Sequence, residues 1–74
     1  MVDGIVKRWD DDEGWGVLTS PAVPGDVFAH FSHIDAEGYR SLDDGERVRF
    51  DWERYEPGQD GYFYRATRVV RLSE

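Results

Sequence analysis

From Glu46 to Tyr55 the chain alternates charged and apolar residues almost without a break, with Val48, Phe50 and Trp52 set between Arg47, Arg49, Asp51 and Glu53. Side chains two positions apart share a face of an extended strand, so this period buries one row and leaves the charges in water. A helix would scatter the same residues around its circumference. Glycine and proline divide the rest of the chain into runs of similar length. Gly4–Trp9 is β-rich and ends in the acidic turn Asp10–Gly14; Trp15–Thr19 is closed by Ser20–Gly25; Asp26–Phe31 is a third run. Pro57–Gly61 reads as a turn, and Tyr62–Leu72 as a fifth strand with Ala66, Val69 and Val70 as its apolar part. Helix has room only between Ser32 and Leu42, where Gly38 interrupts and no apolar stripe of period 3.6 exists. Ser32–Ile34 reads as a single helical turn and residues 35–45 as a long loop. Five strands and no helix long enough for a crossover predict an all-β fold, a small antiparallel barrel.

Seventy-four residues make one domain, expected to span residues 1–72 with Ser73 and Glu74 as a loose tail. The chain has no cysteine, which excludes disulfides, thiolate zinc sites and thiol nucleophiles. No apolar run approaches the ~20 residues of a membrane-spanning helix, and Met1–Gly4 does not open a secretory signal, so a cytoplasmic location is expected. Nine Lys and Arg against 16 Asp and Glu leave a net charge of −7. Against that acidity stand three Trp, four Tyr and four Phe, 15% of the chain. A core of this size cannot enclose them all, so some aromatic rings must lie on the surface.

Strand alternation indicates which. In the second run Trp15 and Val17 share one face, and Gly14, Gly16 and Leu18 take the other. In the third, Phe28 and His30 share a face, and Val27, Ala29 and Phe31 take the opposite one. Small apolar residues thus gather on the side a tight barrel interior needs, and Trp15, Phe28 and His30 fall outside it. If the two runs are neighbours, the rings form a platform suited to unstacked nucleobases. The glycines beside Trp15 clear the surface for close approach of a strand. For any one ring, simple cover over an open barrel end explains its position equally well; for the set on alternating positions it does not.

The order and spacing of Gly4–Trp9, Gly14–Leu18, Asp26–Ser32 and Glu37–Gly45 resemble the cold-shock domain, with Val27-Phe28-Ala29-His30-Phe31-Ser32 the most specific block. The resemblance covers essentially the whole chain. It implies a five-stranded antiparallel OB-fold barrel that binds single-stranded RNA or DNA by stacking, as a monomer without cofactor, metal, membrane or small-molecule substrate. Such proteins act as chaperones of RNA structure or as regulators of transcription or translation. By the same resemblance Lys7, Trp9, Trp15, Phe28, His30, Phe31 and Tyr39 stand at binding positions, and Val6, Leu18, Val27, Ile34, Val48 and Val69 at core positions. Arg8 and Arg40 are added as cations able to reach phosphate.

The chain departs from the family pattern at several of these places. Arg8 replaces an aromatic residue, Asp10 an asparagine, Glu13 a lysine and Val17 a second aromatic residue. One base–aromatic stack is worth ~1–3 kcal/mol, so the ring missing at 17 weakens the expected site. Arg8 compensates in part, because a guanidinium both stacks and pairs with phosphate. The net charge repels a polyanion at long range, but salt screens that repulsion beyond ~8 Å, so charge near the platform decides. Lys7, Arg8, Arg40, Arg65 and Arg68 are the candidates to line it. The acidic excess disfavours duplex binding, which leans on phosphate contacts.

Other function classes fare worse. Ser32, His33 and Asp35 have the residue types of a hydrolytic triad, but near neighbours in sequence rarely point at one another, and no catalytic residue is assigned. The acidic turn lacks the alternating ligand spacing of a calcium loop. A protein-interaction barrel that has lost most nucleic-acid affinity is the surviving alternative, favoured by Arg8, Glu13 and Val17.

Overall fold

The computed structural model describes residues 1–36, 40–59 and 61–72, with the backbone alone for 55–59. Five strands, β1 (Val2–Asp10), β2 (Trp15–Thr19), β3 (Val27–His30), β4 (Arg47–Gln59) and β5 (Tyr62–Arg71), close into a barrel in the order β1-β2-β3-β5-β4. This is the five-stranded OB-type barrel expected. Four of its seams are antiparallel and the fifth, β3 to β5, is parallel, with Val27 opposite Tyr64 and Phe28 opposite Arg65. A barrel leaves no free edge, and that seam is what closes this one.

β1 serves two neighbours. Its first half pairs with β4 and its second with β2, and the register slips between Val6 and Arg8. The bulge at Lys7 turns the strand from one partner toward the other, as an inserted residue does. Val6 points into the core, whereas Arg8 lies opposite Val17 on the outer face. The incoming loop holds the bulge: Val6 N–H donates to Glu46 O, Gly45 N–H to Val6 O, and Trp9 N–H to Asp44 Oδ1, at 2.9, 2.7 and 2.8 Å.

All six core residues implied by the resemblance are buried, and Val23, Ala29, Leu42, Phe50 and Ala66 join them. Phe50 is the largest fully buried side chain; burial of one such ring contributes about 1.5–3 kcal/mol. Several element limits differ from expectation. β3 ends at His30, because Phe31–His33 forms a 3-10 turn, one residue earlier than Ser32–Ile34. β4 continues through the Pro57–Gln59 stretch to pair Gln59 with Tyr62, so the turn is tighter than Pro57–Gly61, and Gly61 supplies its positive φ of 84°. The register slip between Arg54 and Gln59 accommodates the proline within a strand.

Candidate nucleic-acid interface

The acidic turn is built to deliver Trp15 onto the start of β2. Asp10 accepts the N–H of Glu13 on Oδ1 at 3.0 Å, and its carbonyl accepts the N–H of Gly14 at 2.8 Å. Gly14 has φ 80°, and a Cβ there would lie 2.9 Å from Phe31 Cδ1. The glycine therefore meets two needs: a left-handed turn residue, and a bare surface for the Phe31 ring. Phe31 N–H donates to Gly14 O at 2.8 Å, which ties the 3-10 turn to the β1–β2 turn.

On the outer face, β2 and β3 pair Trp15 with His30 and Val17 with Phe28. Trp15 and Phe28 have ring centroids 5.2 Å apart at 33°. Phe28 continues to Tyr62, 6.5 Å away at 36°. A row of rings thus crosses β2, β3 and β5. Tyr62 belongs to it, although the sequence marks Tyr62 only as the start of the fifth strand. Its partner Phe28 is 34 residues distant and on the parallel seam, so strand alternation alone does not signal it; its place directly after the Gly61 turn is the sole local cue.

Arg8 lies over this row. Its guanidinium carbon is 5.9 Å from the Trp15 ring centroid, and Nη2 donates to the Tyr62 hydroxyl at 2.9 Å. The side chain thus links β1 to a ring of β2 and to the first residue of β5. Val17, opposite Arg8 on one side and Phe28 on the other, is wholly buried although it stands outside the core cluster. The ring missing at 17 is therefore not an open gap, since Val17 is itself fully enclosed.

His30 and Phe31 form a second pair, with centroids 4.5 Å apart at 42°. Phe31 is expected on the inner face, opposite His30, but the 3-10 turn swings it outward and leaves it 43% exposed. His30 Nδ1 accepts the Ser32 N–H at 3.3 Å and meets Ser32 Oγ at 2.8 Å. Neutral His30 is thereby held as the Nε2–H tautomer, with a donor on the ring edge away from its own turn. The same geometry leaves the triad incomplete: Ser32 Oγ meets His30 Nδ1 at 2.8 Å and His33 Nδ1 only at 3.4 Å, and Asp35, the carboxylate the triad would need, is held by Arg68 through both Nε and Nη2.

Trp9 is placed differently from Trp15. It sits opposite Gly16, where a Cβ would lie 2.4 Å from Trp9 Cε3, and it packs half-buried against the core. It also lines a groove of about 530 Å³ together with Phe31, Arg40 and the acidic-turn residues Asp11, Asp12 and Glu13. Of the cations expected at the platform, Lys7 is paired with Asp26 at 2.9 Å, Arg65 with Glu53 at 2.5 Å, and Arg68 with Asp35. Tyr39 lies outside the described residues. Among the described residues no three His, Asp or Glu are grouped to hold a metal ion, and no helix is long and apolar enough to cross a membrane.

Residues 2–71 match the 'Cold-shock' DNA-binding domain. The chain is 34% identical to the cold shock-like protein CspD of Haemophilus influenzae over 74 residues, covering all of this chain and 96% of that protein. It is 42% identical to the cold shock-like protein CspA of Shewanella violacea over 69 residues, 93% of this chain and 91% of the relative. The cold shock protein ScoF of Streptomyces coelicolor is 43% identical over 51 residues, 69% of this chain and 76% of the relative.

Proposed function

The chain belongs to the cold-shock domain family, a family of nucleic-acid-binding domains and not of enzymes, and from that premise we propose that it is a single-strand binder that works by stacking. The row Trp15–Phe28–Tyr62 carries this reading. Bases in a duplex have their π-faces covered by one another, so rings on an open sheet gain most from a strand whose bases are unstacked. His30 and Phe31 extend the platform, and Trp9 and Tyr39 lie at its margin. Lys7, Arg8 and Arg40 meet the backbone. RNA or DNA held this way stays unpaired, the action of an RNA chaperone or of a regulator of transcription or translation, exercised in the cytoplasm by a monomer whose binding unit is residues 1–72.

Equilibrium titration with pyrimidine-rich oligonucleotides, followed by tryptophan fluorescence, tests the reading. Binding should quench the signal, and Trp15→Ala or Phe28→Ala should each weaken it by ~1–3 kcal/mol with unfolding midpoints little changed at these partly exposed positions. Absence of binding at high micromolar protein would sink it. That result would favour a protein-interaction barrel, to which the internal pairing of Lys7 with Asp26 also speaks. Duplex bound as tightly as single strand would refute the stacking mechanism.

A further inference from the structure

The platform carries a guanidinium where its relatives' motif has a ring, and that guanidinium is fixed at one end. Tyr62 takes one of the five N–H donors of Arg8, and Trp15 lies beneath its carbon. The charge of Arg8 can meet a phosphate, but its place is between Trp15 and Tyr62, among the rings on which bases would rest. A base arriving there meets a planar fork of donors with one prong already oriented.

We propose that Arg8, positioned by Tyr62, makes one subsite selective for a base that presents two adjacent acceptors. Guanine does so with O6 and N7, and cytosine with O2 and N3 on the edge a single strand leaves free. Adenine, thymine and uracil present no two adjacent acceptors, so the fork can satisfy one bond to them and not two. The inference rests on the single-strand reading and gives it a specificity that stacking lacks, since every base has a π-face.

The test is a walk of single substitutions along an oligothymidine of seven nucleotides. At one position dG or dC should raise affinity about fivefold or more, the lower end of what one bidentate arginine pair discriminates, and dA should not. If dG gives the gain, 7-deaza-dG, which lacks N7, should lose it; retention of the gain by dC identifies the pyrimidine edge instead. Arg8→Lys keeps the charge without the fork and should bring the substituted-to-unsubstituted ratio close to one. Tyr62→Phe should lower that ratio. Equal gains for dA and dG would mean that Arg8 only stacks, and would overturn the inference. So would an oligothymidine that binds with no position responding to dG or dC, an outcome that leaves single-strand binding intact. No binding by any oligonucleotide would bring down both readings.

Discussion

At the scale of single residues, the acidic turn works against the platform beside it. Glu13 is exposed, donates its backbone N–H to Asp10, and borders the groove with Phe31 and Arg40. A strand leaving the rings at His30 and Phe31 would pass this carboxylate. Glu13→Lys changes the local charge by two and should tighten binding of a short single strand. Its signature is a salt dependence of log K steeper by about 0.7, the increment for one added phosphate contact on a single strand. An unchanged affinity would place the path of the strand on the other side of the turn. Asp10 is a poor choice for the same experiment, because its carboxylate caps the turn and its loss would move Trp15 as well as charge.

At the scale of elements, the β1–β2 hairpin depends on Gly16. A Cβ there would come within 2.4 Å of both Arg8 O and Trp9 Cε3. One of these contacts is backbone, so relief must come from the strands as well as the ring. Gly16→Ala should destabilise by about 1–3 kcal/mol, the range for overpacking, and shift Trp9 emission; urea unfolding measures the first and fluorescence the second. The strands were legible because alternation and turn residues are local properties: Val48, Phe50 and Trp52 mark β4, and Val27 and Ala29 the inner row of β3. The Trp15–Phe28 half of the platform was legible by the same rule. Tyr62 was not, because it joins only through the parallel β3–β5 seam, a long-range consequence of barrel closure. Alternation places Phe31 on the inner face for a related reason: it cannot report where a strand gives way to a 3-10 turn. The placing of Arg8 opposite Val17 needed the bulge at Lys7, which a single sequence does not mark.

For the molecule as a whole, the charge of −7 is arranged and not merely carried. Asp3 holds Arg49 at 2.7 Å across the β1–β4 seam, and Glu46, its side chain 6% exposed, holds Arg71 at 2.5 Å. The Arg49 guanidinium beside Asp3 keeps that carboxyl below its ordinary range. A folded-state value below the unfolded one adds stability above the unfolded pKa, near 3.9, and loses it as pH falls through the folded value. The urea midpoint difference between the natural chain and Asp3→Asn should therefore be flat above about pH 5 and disappear in strong acid; a difference that persists there would assign the effect to packing. The same pairing governs binding. With Arg49, Arg65, Arg68 and Arg71 all holding carboxylates, the cations beside the aromatic face that can neutralise phosphate are Arg8, Arg40 and, once parted from Asp26, Lys7. Three contacts on a single strand give a slope of log K against log salt of about −2. A family member whose affinity came from phosphate would be far steeper. Titrations of one oligothymidine between low and physiological salt should return that shallow slope, with most of the binding free energy surviving in high salt and the ~1–3 kcal/mol cost of Trp15→Ala unchanged there. A slope of about −4 or steeper would mean that the arginines of β4 and β5 exchange their carboxylates for phosphate, and that the strand runs over the paired face of the barrel as well as the aromatic one.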